Sequence, residues 1–167
     1  IDTFSGYGHR SRDFVRSLIE AKDNEWDIKI LPQVWGNTPW GFLETNDPLR
    51  SRFISELNKQ PDVWIQITVP NEFQKIGKFN IGVTAGIEST VPPKEFLEGC
   101  NNMDLNLVSS NFTKQTFSQI GFEEKDKNGK VVKTIQIQKP IEVLFEGLDT
   151  GVYFKQPDKS GLLENID

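Results

Sequence analysis

The sequence predicts an α/β domain: a mostly parallel, Rossmann-like sheet with helices on both faces, plus a small β-hairpin. Segments with strand patterning alternate along the chain with segments whose apolar residues recur at helical spacing. Prolines, glycines and Asp or Ser caps mark the boundaries between them. One Asn-Gly dipeptide lies between two strand-like runs, a hairpin signal. The chain has 167 residues, the length of one ordinary domain. Residues 1–150 carry the alternation. Residues 151–167 are turn-rich and read as a linker or the start of a further domain.

Taken in order, Ile1 to Phe4 offers a very short first strand, or the tail of one, since strands usually run to about five residues. The glycine-rich loop Ser5-Gly6-Tyr7-Gly8 follows, and then a helix from about Ser11 to Lys22 with Phe14, Val15, Leu18 and Ile19 on one face. Trp26 to Leu31 alternates as a strand and stops at Pro32. Asp47-Pro48 is a helix start, and Leu49, Phe53, Ile54 and Leu57 supply that helix's inner face before Pro61. Val63 to Val69 reads as a mostly apolar strand, and Phe79 to Thr84 as another. Pro92-Pro93 opens a helix with Phe96, Leu97, Cys100 and Met103 facing inward. Leu105 to Ser109 is a strand, and Ser110 caps a helix that Gly121 ends. Asn128-Gly129 turns the hairpin between Phe122–Glu124 and Val131–Ile137, and Ile141 to Phe145 is the last strand.

Composition narrows the function. The net charge is −5 and the pI is near 5.0. Such a balance disfavours nucleic acid and anionic membrane surfaces, both of which call for a basic face. No apolar run approaches the roughly 18 residues of a membrane span. One cysteine and one histidine leave almost no material for a zinc site or a Cys–His nucleophile, and no metal motif is present. A lone Cys100 at helical spacing reads as a small buried hydrophobe and implies a reducing, cytoplasmic compartment.

The candidate site residues follow the strands, because open α/β sheets bind ligands outside the carboxyl ends of their strands. Gly6-Tyr7-Gly8 precedes a helix N-terminus, where backbone N–H groups and the helix dipole favour a phosphate; a plain strand-to-helix turn is the alternative. A dinucleotide fingerprint fits poorly, because Ser11 takes the third glycine's place and Pro32-Gln33 replaces the expected acidic residue. His9 can hydrogen-bond a phosphate or sugar hydroxyl, and Arg10 or Arg12 can pair with a phosphate; a solvated helix face is the alternative for the arginines. The stretch Trp35 to Phe42 interleaves three aromatics with glycines, which suits stacking on sugar C–H faces or anchoring a loop. Glu88, just past a strand, can hold a hydroxyl, act as a base or cap backbone.

The series of motifs resembles the N-terminal half of a retaining, nucleotide-sugar-dependent glycosyltransferase of the GT-B type. The stretches that carry the likeness are Ser5 to Arg12, Gln66 to Pro70, Asn80 to Thr90, Cys100 to Asp104 leading to Val108–Phe112, and Glu146 to Asp149. Together they span nearly the whole chain. The resemblance implies an acceptor-side, Rossmann-like GT-B half-domain, inactive by itself, whose partner would be its own missing C-terminal domain. The co-substrate would be a nucleotide sugar, with no other cofactor, and the acceptor a sugar or a glycosylated small molecule or polymer. Gly6, Tyr7, Gly8 and His9 would contact the donor phosphates. Trp35, Trp40, Thr68, Asn71 and Glu88 would line the acceptor side. Many relatives carry a histidine just after the fourth strand; here Gln66-Ile67-Thr68 stands in that place, so no catalytic residue is assigned. A non-catalytic carbohydrate- or protein-binding module on the same scaffold is the alternative.

Overall fold

The computed structural model describes residues 1–23, 25–34, 36–151 and 153–154. Its centre is a four-stranded parallel sheet of β1 (Val63–Ile67), β2 (Phe79–Thr84), β3 (Leu105–Val108) and β6 (Ile141–Val143), in the order β1-β2-β3-β6. Three helices accompany it: α1 (Gly6–Lys22), α2 (Lys94–Cys100) and α3 (Asn111–Gln119). A separate antiparallel pair, β4 (Phe122–Lys125) and β5 (Val131–Ile135), forms the hairpin. The predicted α/β class is thus observed.

Alternation along the strands sends side chains to opposite faces. On one face Val108 and Ile141 meet Phe73, Cys100, Met103 and Phe117, the main core cluster under α2 and α3. On the other face Ile67 and Val83 approach the start of α1. Two glycines allow the close approaches. A Cβ on Gly82 would overlap the Phe73 ring, and one on Gly99 would overlap the Pro70 carbonyl where α2 lies against the chain after β1. Buried amides hold the loops. Gln66 donates to the Glu72 carbonyl at 2.9 Å and accepts from Gln74 N–H at 2.9 Å. Asn80 accepts from the N–H groups of Ile76 and Gly77 and donates to Asp104.

Four expected elements differ. The helix expected from Ser11 starts at Gly6, because the Ser5 hydroxyl caps it by accepting from Gly8 N–H at 3.0 Å; the glycine-rich stretch is the first turn rather than a preceding loop. The helix expected after Asp47 is only a 3₁₀ turn, Pro48–Arg52. Asp47 does cap it, but Phe53 turns extended to bridge Ile30, which ends the helical run. Trp26 to Leu31 and Ile1 to Phe4 do not become sheet strands. Among the described residues each makes a single isolated bridge, Ile30 with Phe53 and Thr3 with Trp40, and neither joins a ladder. The hairpin forms as expected, with Gly129 at φ +81° and the Asp126 carboxylate accepting from the N–H groups of Asn128 and Lys130. The linker expectation over 151–167 falls largely outside the described residues.

Candidate functional site

The first turn of α1 meets the carboxyl ends of β1 and β2 and the chain after β6 in a cavity of about 300 Å³. Gly6, Tyr7, His9 and Arg10 form one wall, Ile67 and Thr84-Ala85 the floor, and Glu146-Gly147 the far side. The local chemistry explains the shape. Capping by Ser5 fixes where α1 begins, and the Ser5 hydroxyl is itself held by Thr3 at 2.9 Å. The Tyr7 hydroxyl lies 3.2 Å from Thr84 Oγ1, which also accepts from Gly86 N–H, so one hydroxyl pair ties α1 to the end of β2. Arg10 donates to the Leu144 carbonyl at 3.1 Å and lies 3.8 Å from the Glu146 carboxylate. His9 Nε2 lies 3.1 Å from Asp13 Oδ2. Arg10 and His9 therefore each face a carboxylate, and the hydroxyls of Tyr7 and Thr84 meet at the same cavity.

The predicted donor-side residues divide. Gly6, Tyr7 and His9 line the cavity, and nothing lies within 4 Å of where a Gly6 Cβ would sit. Gly8 is buried and turned away; its Cβ would overlap Thr3. Arg12 is 3% exposed and donates to the carbonyls of Ile1 and Thr3 at 2.7 and 3.0 Å, with its guanidinium 3.5 Å from the centre of the Phe42 ring. It is a brace for the chain start, and burial holds its pKa below the usual arginine value.

Of the predicted acceptor-side residues, Thr68, Asn71, Glu88 and Trp40 do not line this cavity. Thr68 is buried and its hydroxyl donates to Glu72. Asn71 and Glu88 are exposed on the loops after β1 and β2. Trp40 is exposed and bridges Thr3, and Trp35 lies outside the described residues. Thr84, Asp13 and Glu146 belong to the cavity without having been singled out as site residues. Position at the carboxyl end of a strand was the signal for Thr84, and helical spacing from His9 the signal for Asp13.

Cys100 is fully buried, and burial pushes its thiol up to about 12, so it supplies no nucleophile. Among the described residues, no group of three or more His, Cys, Asp or Glu is placed to hold a metal, and no helix is long and apolar enough to cross a membrane. No protein-family model, curated protein or solved structure matches the chain.

Proposed function

We propose that this chain is the acceptor-side half of a GT-B glycosyltransferase that moves a sugar from a nucleotide-sugar donor to a sugar or glycosylated acceptor. The observation that supports the reading is the convergence at one cavity. Three of the stretches that resemble the family, around Gly6 to Arg10, Thr84-Ala85 and Glu146-Gly147, come from distant parts of the chain and meet at the ligand-binding edge of a parallel sheet. In this reading the donor phosphates lie against the first turn of α1, where the dipole favours negative charge. His9 and Arg10 then exchange Asp13 and Glu146 for phosphate oxygens, which form stronger, bidentate contacts with the guanidinium. Transfer also needs a donor-binding domain to close over the cleft and exclude water, so these residues alone bind without turning over. The test is a titration with uridine- and guanosine-diphosphate sugars followed by amide shifts. Saturable shifts at Gly6, His9 and Ala85 are expected; the reading fails if no nucleotide sugar produces them.

The pairing of Arg10 and His9 with carboxylates favours a second reading, a carbohydrate-binding module without catalysis. A cavity whose imidazole and guanidinium already face carboxylates, with hydroxyls beside them, suits a neutral polyol better than a dianion. Free sugars that shift the same amides, with no response to the nucleotide diphosphate alone, would select it.

A further inference from the structure

The acceptor side of the proposed transferase has no assigned group, and the carboxyl end of β1 supplies one. Thr68 directly follows β1, and Thr84 ends β2. Ile67 pairs with Val83, and Thr68 N–H continues the ladder by donating to the Val83 carbonyl at 3.1 Å. The two threonines are therefore neighbours across the sheet, with their side chains on one face. Each hydroxyl has a different partner. Thr84 meets the Tyr7 hydroxyl, and Thr68 donates to Glu72 Oε2. Ser5, Tyr7, Thr68 and Glu72 line a second opening, and Tyr7 and Ile67 line the first one as well. The two openings thus share a wall at Tyr7.

Glu72 is exposed, yet the chain fixes it at three points. Its N–H donates to the Val69 carbonyl at 3.0 Å in the turn Pro70–Glu72. The Gln66 amide donates to its carbonyl at 2.9 Å, and the Thr68 hydroxyl holds one carboxylate oxygen. Gln66 and Thr68 are 5% and 4% exposed, so both supports are set in the core. Among the described residues no cation pairs with Glu72, and its Oε1 accepts no hydrogen bond. Asp13 and Glu146, in contrast, already face His9 and Arg10.

We propose that Glu72 receives a hydroxyl of a neutral sugar, with Thr68 and Gln66 as its positioning residues; the assignment of that sugar as the acceptor rests on the transferase reading. A fixed carboxylate that faces no cation keeps an acceptor atom for an O–H donor, and such charge-assisted bonds are roughly twice as strong as neutral ones. The same charge repels a phosphate, so this side of Tyr7 takes the uncharged sugar and the Arg10 side the anionic donor.

The test titrates the chain with methyl α-glucoside, methyl α-galactoside and methyl α-mannoside and follows amide shifts. At least one glycoside is expected to give saturable shifts at Thr68, Asn71 and Glu72. Glu72→Gln keeps an oxygen that accepts from Thr68 but removes the charge. It is expected to hold the parent Tm, to weaken glycoside binding by about fivefold or more, and to leave the uridine-diphosphate-sugar shifts at Gly6 and His9 as they are in the parent. The proposal is overturned if no glycoside moves the three amides, if glycoside shifts fall only at Gly6, His9 and Ala85, or if Glu72→Gln binds glycoside as the parent does. A glycoside response at Thr68 and Asn71 that Glu72→Gln weakens, with no response to any nucleotide sugar, defeats the transferase reading and supports the hydroxyl site.

Discussion

Gly6 and Gly8 sit in one helical turn under opposite constraints. A methyl group on Gly8 has to displace the Thr3 backbone, whereas one on Gly6 enters open space. Gly8→Ala is expected to cost about 1–3 kcal/mol, read by chemical denaturation. Gly6→Ala should leave stability within about 0.5 kcal/mol, so any loss of nucleotide-sugar binding in that variant belongs to the cavity. The contrast was hidden in the sequence, where both glycines read alike; the Thr3 backbone that decides it is placed by distant partners such as Trp40 and Arg12. Asp104 carries a different prediction. The Asn80 backbone N–H and its side-chain amide hold the Asp104 carboxyl below the usual carboxylate range. The folded-state pKa is thus below the unfolded one. The contribution is complete above the unfolded value, about 3.9, and is lost as pH falls through the folded value. Urea midpoints measured down the acid limb should fall less steeply in Asp104→Asn than in the parent.

At the scale of elements, α2 depends on one missing side chain. Gly99→Val forces the helix off the Pro70 carbonyl, and it should lower Tm far more than the same change at Gly147, where no atom lies within 4 Å. Elements with local instructions were legible. Ser110 caps α3 by accepting from Thr113 N–H, Asn128-Gly129 turns the hairpin, and Phe79 to Thr84 is a strand over its whole predicted length. Elements that depend on a neighbour were not. Trp26 to Leu31 has the strand pattern, but a ladder needs a partner, and among the described residues Ile30 bridges only Phe53. The run after Asp47 has the helical pattern, yet Arg50 and Arg52 are drawn to the Leu43 carbonyl and to Asp23, and Phe53 goes extended. Periodicity states what a segment can bury, not whether anything stands beside it.

For the whole molecule, the sheet order converts sequence-distant loops into one cavity. That the carboxyl ends of the strands would matter followed from the α/β class. Which loops would meet did not, since it depends on strand order and on α1 starting at Gly6. Glu88 and Asn71 follow strands as Thr84 does, but their side chains are exposed and do not line the cavity.

Arg10 has two employments. Its guanidinium forms part of the cavity wall, and the same group tethers the stretch leaving β6 through the Leu144 carbonyl and Glu146. An anion that claims the guanidinium must therefore release that stretch, so occupancy and the path of the departing backbone are linked, each weakening the other by the same factor. A protease that cuts after glutamate should cleave at Glu146 faster once the cavity is filled, and Arg10→Gln should cleave quickly whether or not ligand is present.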